Sequence, residues 1–276
     1  MKRSRGNLRN TLLVDIGNTR IKWARFDGKK IGRQQAASFA GWGTKEFARN
    51  VIGSSRIAGR ILVSSVAGSR VNRLFGAAAR EAAGIKPEFV ASQRRAGGVT
   101  TSYIEPWRLG VDRFVMAIGA HGIAKRRAVC IVSIGTTLTI DLVDAEGRHR
   151  GGAIVPSPPL MVKSLLTGTN GIRRRASGGP QDRKRTGSNG RFGHVFARTT
   201  RTAIEHGSLL AAAATIDRGV KEAHLLLGEA PLLLVAGGGA TPVAAQILTR
   251  HRLVPDLVLQ GLAVLAAEGM QPSRGS

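Results

Sequence analysis

Near the start of the chain, eight consecutive positions combine a carboxylate, a glycine, two short polar side chains and two cations: Asp15-Ile16-Gly17-Asn18-Thr19-Arg20-Ile21-Lys22. Gly17 lets the backbone come close to an anion. Backbone N–H groups, the Thr19 hydroxyl and the Lys22 ammonium can face phosphate oxygens, while Asp15 can hold Mg²⁺ through water. The same residues fit an ordinary hairpin with a polar turn, and a motif this short does not decide between the two. A second candidate is the pair Asp112-Arg113. A carboxylate there can take a proton, and the adjacent guanidinium can clamp a carboxylate or a phosphate. On spacing alone the pair reads as a local ion pair at a helix start.

The apolar pattern supplies the elements that would position these groups. Leu12-Leu13-Val14 reads as a buried strand ending at Asp15, and Ile21 to Phe26 returns from the turn as its hairpin partner. Trp42 to Val51 fits a short helix, residues 60–66 a strand, and Val71 to Ala83 a helix stopped by Gly84. Residues 88–90 make a short strand, residues 91–108 a loop, and Leu109 to Arg113 opens a helix. Residues 128–133 are again an apolar strand, Ile134-Gly135-Thr136-Thr137 is a second glycine–hydroxyl turn, and Thr139 to Val143 returns. A helix from about Pro158 to Leu166, a polar basic loop over 168–193, a long helix over 200–217, a strand over 232–236 and a final helix over 257–268 complete the reading. Thr241-Pro242 reads as a capped helix start. The glycines 237–239 before it fit either a strand-to-helix turn or the edge of an adenosine pocket.

The strand–turn–strand unit thus occurs twice, about 120 residues apart, which predicts two similar α/β domains, 1–113 and 114–276, facing one cleft. The two turns would hold phosphates from both sides of it.

Composition bounds the partners. Lys and Arg number 42 against 17 Asp and Glu, a formal charge of +25 that attracts polyanions, nucleic acid among them. Basic clusters lie at Arg173-Arg174-Arg175 and Arg183-Lys184-Arg185, and the first residues, 1–10, read as a polar tail. Aromatics are only 4%, too few for stacking platforms, and no nucleic-acid module pattern is present, so a solvated arginine-rich surface is the plainer reading. A lone cysteine, Cys130, excludes an internal disulfide and fits a reducing cytoplasm. No signal peptide or membrane span is expected, and His121, His194 and His206 lack zinc-site spacing.

The order of these motifs resembles the acetate and sugar kinase, Hsc70 and actin superfamily, and more narrowly the type III pantothenate kinases, also described as the Bvg accessory factor family. The residues that carry the resemblance are Asp15 to Thr19, Tyr103 with Pro106, Leu109-Gly110-Val111-Asp112-Arg113, Gly135 to Asp141, Gly151 to Pro156, Thr200 with Ala203-Ile204, and Gly237-Gly238. They fall in the family's order across nearly the whole chain. The resemblance implies two ribonuclease H-like domains and a kinase acting on pantothenate with ATP. It assigns Asp15, Ile16, Gly17, Asn18, Thr19, Arg20, Ile21 and Lys22 to the first phosphate loop and Thr136 to the second. Tyr103, Gly110, Val111, Asp112, Arg113 and Thr200 become pantothenate contacts, with Asp112 the proton acceptor and Thr200 supplied across a homodimer. Mg²⁺ is implied near Asp15, and K⁺ or NH₄⁺ near position 133.

Two departures from that pattern matter. Ser133 stands where the family has an aspartate contributing to the monovalent-cation site, and a neutral hydroxyl holds such an ion more weakly; weak or absent potassium dependence is the expectation. Ser157 stands where the family has glycine after a proline, so a turn of different shape is expected there. Two alternatives stay open on sequence: a non-catalytic, regulatory member that binds nucleic acid through its basic surface, and a kinase of the same superfamily with another substrate.

Overall fold

Two runs of apolar residues flanking a polar turn do form the expected hairpin. In the computed structural model, which describes residues 10–53, 59–176 and 196–269, β1 (Thr11–Ile16) pairs antiparallel with β2 (Arg20–Phe26), and the register sets Asp15 opposite Lys22. β2 continues to the edge strand β3 (Gln35–Ser38), whose small residues gave no apolar alternation. On its other side β1 pairs in parallel with β4 (Arg60–Ser65), and β4 with β5 (Glu88–Phe89). The sheet order is therefore β3-β2-β1-β4-β5.

Alternate residues of these strands face opposite ways. Leu12, Val14, Ile16, Ile21, Trp23, Ile61 and Val63 form one core with Phe47 and with Phe75 of α2 (Ser69–Ala83), which ends as expected at Gly84 in the left-handed region. The expected helix over 42–51 is one α-turn, α1 (Thr44–Phe47), followed by a wider turn to Ile52. The loop over 91–108 contains a small ladder, β6 (Arg95–Ala96) with β7 (Val99–Thr100), and a single turn of 3₁₀ helix over Pro106–Arg108.

After α3 (Val111–Ala124), the second sheet repeats the plan. It contains β8 (Val129–Ile134), β9 (Thr137–Val143) and β10 (His149–Pro156), and its order is β10-β9-β8-β11-β12, the same arrangement as the first. β11 (Leu232–Ala236) and the short β12 (His251–Leu253) pair in parallel. The duplication extends to single hydrogen bonds. Gly17 N–H donates to Arg20 O at 2.9 Å across the first turn, and Gly135 N–H to Thr137 O at 2.9 Å across the second. Val90 N–H meets Val63 O at 2.8 Å, and Val254 N–H meets Val235 O at 2.8 Å.

The helices of the second half are α4 (Pro158–Gly168), α5 (Asn170–Ala176), α6 (Thr200–Leu227), α7 (Ala240–Ala244) and α8 (Leu257–Ala267). The stretch expected as a loop from 168 onward thus begins with the helix α5, which carries Arg173, Arg174 and Arg175; the rest of it, with Arg183-Lys184-Arg185, lies outside the described residues, as do residues 1–9. Helix α6 runs ten residues past the expected end at Asp217, to Leu227, and is capped by Gly228. Asp217 does not stop the helix but accepts hydrogen bonds from the amides of Leu248 and Thr249 and from the Thr249 hydroxyl. α7 begins at Ala240 with Gly239, not Thr241, in the N-cap position and no side-chain cap, and the Gly239 amide donates to Ile134 O at 2.9 Å.

The chain divides into two compact units, one of residues up to Val129 with Val143–Gly151 and the residues from Asp256, the other of Cys130–Leu142 and Gly152–Pro255. Helices α3 and α8 both belong to the first unit, so that unit extends past residue 113. Glycines make the α3–α8 crossing close. A Cβ at Gly119 would lie 2.6 Å from Leu257 O, and one at Gly261 would lie 1.9 Å from Val115 O. No helix among the described residues is long and apolar enough to cross a membrane.

Candidate active site

The face of the first sheet opposite its α2-packed core carries Leu13, Asp15, Lys22, Ala24, Leu62 and Ser64, since these alternate with the residues of that core. Across β2, β1 and β4 the register lines up Lys22, Asp15 and Ser64 in one row. A lysine, a carboxylate and a hydroxyl therefore sit side by side at the end of the hairpin. Asn18, Thr19 and Arg20 form the exposed tip. A Cβ on Gly17 would approach Arg20 O to 3.3 Å, so the turn is nearly as tight as glycine allows. Ile16 and Ile21 are fully buried, so any part they take in holding a ligand runs through their backbone.

Asp15 is held in an unusual state. Burial pushes its carboxyl up from 3.8 to about 7, Lys22 pulls the other way, and the charge of Asp112 pushes it further up. The Asp112 effect places the two carboxylates within electrostatic reach of each other. Two carboxylates that share a site with a lysine suit Mg²⁺, which typically takes one or two carboxylates and completes its shell with water and substrate phosphates. Among the described residues no cluster of three or more metal-ligating side chains occurs, and a magnesium site of this kind does not require one.

Asp112 lies in the first turn of α3, where the helix dipole favours an anion. Its Oδ1 accepts from the amide of Arg113 at 2.8 Å. Gly110 caps the helix and leaves room for that carboxylate, since a Cβ there would come 2.8 Å from Asp112 Oδ1. Val111 opens the helix at its first position, and Leu109 is anchored in the core, so the ends of the motif are fixed by packing. The Arg113 side chain is buried at 6% exposure. Its Nη1 donates to the Tyr103 hydroxyl at 3.0 Å, and the guanidinium lies 5.8 Å from the centre of the Tyr103 ring. Tyr103 also packs against the buried His149, whose Nδ1 is 3.4 Å from the Ser102 hydroxyl. Tyr103, Arg113, Asp112 and Asp15 thus gather in the first unit. His149 and Ser64 belong to the same surroundings, and nothing in their sequence context singled them out.

Thr136, Ser133 and Thr200 lie in the second unit. Thr136 is at the exposed tip of the β8–β9 turn, with Ser133 half-buried in β8 behind it. The turn is fastened from below. The fully buried Ser157 donates its hydroxyl to Thr136 O at 2.7 Å. Ser157 itself has φ −71° and ψ 160°, extended backbone that any residue adopts, so serine is unstrained at this turn. Gly237, at φ +99°, lies against the same strand end, where a Cβ would meet Ile134 O at 2.3 Å. Close backbone packing thus accounts for Gly237 and Gly239 as a strand-to-helix turn. Gly239 also borders a cavity of about 460 Å³ in this unit, lined by Pro159, Val162, Leu209 and Val243, with Glu205 and His206 as its polar members. Thr200 is the first residue of α6, next to Thr199, whose hydroxyl caps the helix by accepting from the amide of Thr202.

Known proteins with related sequences and folds place this arrangement. Residues 11–222 match the family described as type III pantothenate kinase. The chain is 37% identical over 263 residues to a type III pantothenate kinase of Herminiimonas arsenicoxydans, covering 92% of this chain and 96% of that one. It is 31% identical over 261 residues to one of Nitrosococcus oceani, covering 93% and 94%. Among solved structures, a Baf family transcriptional activator from Campylobacter jejuni aligns with a TM-score of 0.54 at 16% identity, over 94% of this chain and 98% of that one. A 2-dehydro-3-deoxygalactonokinase protein from Sinorhizobium meliloti aligns at 0.52 and 15% identity, over 94% and 98%. These structural likenesses speak for fold alone, and with the duplicated sheet they mark two ribonuclease H-like halves of the acetate and sugar kinase, Hsc70 and actin type. By the span of the family match and by the identity of its relatives, the chain belongs to the type III pantothenate kinase family.

Proposed function

We propose that this protein phosphorylates pantothenate with ATP to give 4′-phosphopantothenate, the first step towards coenzyme A. The observation that carries the reading is the gathering of Asp112, Arg113 and Tyr103 around the Asp15 end of the β1–β2 hairpin, in a chain of this family. Phosphoryl transfer asks for alignment, charge neutralisation and a place for the hydroxyl proton. Asp112 takes the proton of the primary alcohol as its oxygen attacks the γ-phosphorus, and ADP leaves. Arg113, braced by Tyr103, holds the pantothenate carboxylate. The amides at the hairpin tip, residues 18–20, the Thr19 hydroxyl and Lys22 hold phosphate oxygens; taken by itself, the second unit offers a turn of the same kind at Thr136 and, by the family resemblance, an adenosine pocket in the cavity beside Gly239. Mg²⁺, held near Asp15, neutralises phosphate charge when it is bound with ATP. A homodimer in which the partner's copy of residue 200 reaches the pantothenate site, and a cytoplasmic setting, follow from the family resemblance.

A coupled assay with ATP, Mg²⁺ and pantothenate, run in potassium and in sodium buffers, tests this. Pantothenate-dependent ADP release is expected in both, with little potassium activation because Ser133 lacks a charge. Absence of pantothenate-dependent turnover would overturn the kinase reading; strong, saturable potassium activation would overturn the reading of Ser133.

Asp15 gives a pH test whose sign is fixed. In the free protein its carboxyl titrates near 7, above the ordinary 3.8. Its stabilising contribution is therefore complete at low pH and is lost as pH rises through about 7. Asp15→Asn should gain thermal stability relative to the parent above pH 7, on the order of 2 kcal/mol after allowing for the part exposure of the side chain. A melting temperature unchanged relative to the parent across the range would contradict the burial argument. In the parent, nucleotide KM should rise as pH falls below about 7, because bound metal must then displace a proton.

Gly110→Ala tests the placing of the carboxylate. Its Cβ would push Asp112 Oδ1 aside, and a displacement of that size is expected to lower kcat roughly 10- to 100-fold. The melting temperature should stay close to that of the parent, because a side chain and not backbone gives way.

A further inference from the structure

We infer that Arg94 is a positioning residue for pantothenate binding, holding the loop that presents Tyr103; this rests on the kinase reading above. Residues 101–105 run without regular secondary structure after β7, so their carbonyls lack ladder partners. Arg94 supplies them. Its Nη1 donates to Thr101 O at 3.2 Å and to Tyr103 O at 2.8 Å, and its Nη2 donates to Ile104 O at 2.8 Å. The backbone closes the same contact, with Thr101 N–H donating to Arg94 O at 3.0 Å. The Thr101 hydroxyl in turn accepts from the Tyr103 amide at 3.3 Å.

One planar guanidinium thus spans three carbonyls over four residues. A lysine ammonium, with its donors on a single atom, cannot reproduce that span. The consequence passes outward along named contacts. The fixed backbone of Tyr103 sets its ring, the ring's hydroxyl accepts from Arg113 Nη1, and Arg113 adjoins Asp112. Arg94 is itself at the surface and touches neither Asp15 nor Asp112 in any of these contacts. Its effect therefore falls on the Arg113–Tyr103 side, where the pantothenate carboxylate binds, and not on the nucleotide.

The experiment compares the parent, Arg94→Ala, Arg94→Lys and Tyr103→Phe in the coupled assay, varying pantothenate and ATP separately. Loss of three hydrogen bonds that hold one loop is expected to raise KM for pantothenate about 10- to 100-fold in Arg94→Ala. Arg94→Lys should recover only a small part of that loss. KM for ATP should move less than about threefold, a split that general destabilisation would not produce. Combined with Tyr103→Phe, the Arg94→Ala cost should be less than additive, since both changes act through one ring. A pantothenate KM within about twofold of the parent, an equal rise in both KM values, or full recovery by lysine would overturn the inference. Should Arg94→Ala not fold, Arg94→Lys is read by the same split. A parent protein without pantothenate-dependent turnover would remove the kinase reading, and this inference with it. An active parent with unaffected Arg94 variants would remove this inference alone.

Discussion

Asp112→Asn is expected to fold as the parent does and to lose about 10²- to 10⁴-fold in kcat, the range for a positioned general base. Asparagine matches aspartate in shape, and its carbonyl oxygen can still accept from the amide of Arg113. The α3 start, Gly110 and the Arg113–Tyr103 contact are then undisturbed. What disappears is the negative charge and with it the place for the alcohol proton. The same change has a second readout that needs no turnover. Asp112 is one of the two influences that push the Asp15 carboxyl upward, so in Asp112→Asn the Asp15 titration should move down from about 7. A titration shift without loss of turnover would mean that Asp112 is near the site but is not the proton acceptor. Loss of turnover with an unmoved Asp15 would mean that the two carboxylates do not share a site. Near-parental values of both would end the assignment.

The two hairpins were legible because each signal is local: an apolar run, a polar glycine turn and an apolar return, all within about fifteen residues. The duplication then follows from seeing the pattern twice, and the structure carries it down to matching hydrogen bonds at Gly17 and Gly135. The Asp112-Arg113 pair was different. Its residues alone suggest a surface ion pair, and only the resemblance carried by the flanking Gly110 and Tyr103 suggests a site; in the structure Arg113 is buried and not at the surface. β3 and β12 were missed because short strands of small or exposed residues carry no period. Ser157 illustrates a longer-range limit. Its hydroxyl donates to Thr136 O, 21 residues earlier in the chain, and no local pattern reports such a contact. Arg94 was hidden for a similar reason, since its partners are backbone carbonyls, which every residue has.

The hardest feature to foresee joins α3, the helix that carries Asp112, to α8 near the other end of the chain. Gly261→Ala is expected to destabilise the protein by about 3 kcal/mol, the upper end for overpacking, because the added Cβ would lie 1.9 Å from Val115 O and 2.8 Å from its carbonyl carbon. The obstacle is backbone, so no rotamer change relieves it, and α3 and α8 must move apart. In a chain of this length that loss corresponds to a fall of roughly 6–12 °C in melting temperature. Activity should fall even where the variant stays folded, since α3 carries Asp112 and Arg113 and its displacement shifts both. Gly122→Ala on the same helix is the control. Its Cβ would sit 3.7 Å from a Val264 methyl, ordinary contact, and α3 is helical there. The gain in helix propensity should leave that variant level with the parent or up to about 1 kcal/mol more stable, with unchanged turnover. If both alanines were tolerated alike, the close α3–α8 crossing would not be what seats the Asp112 end of α3.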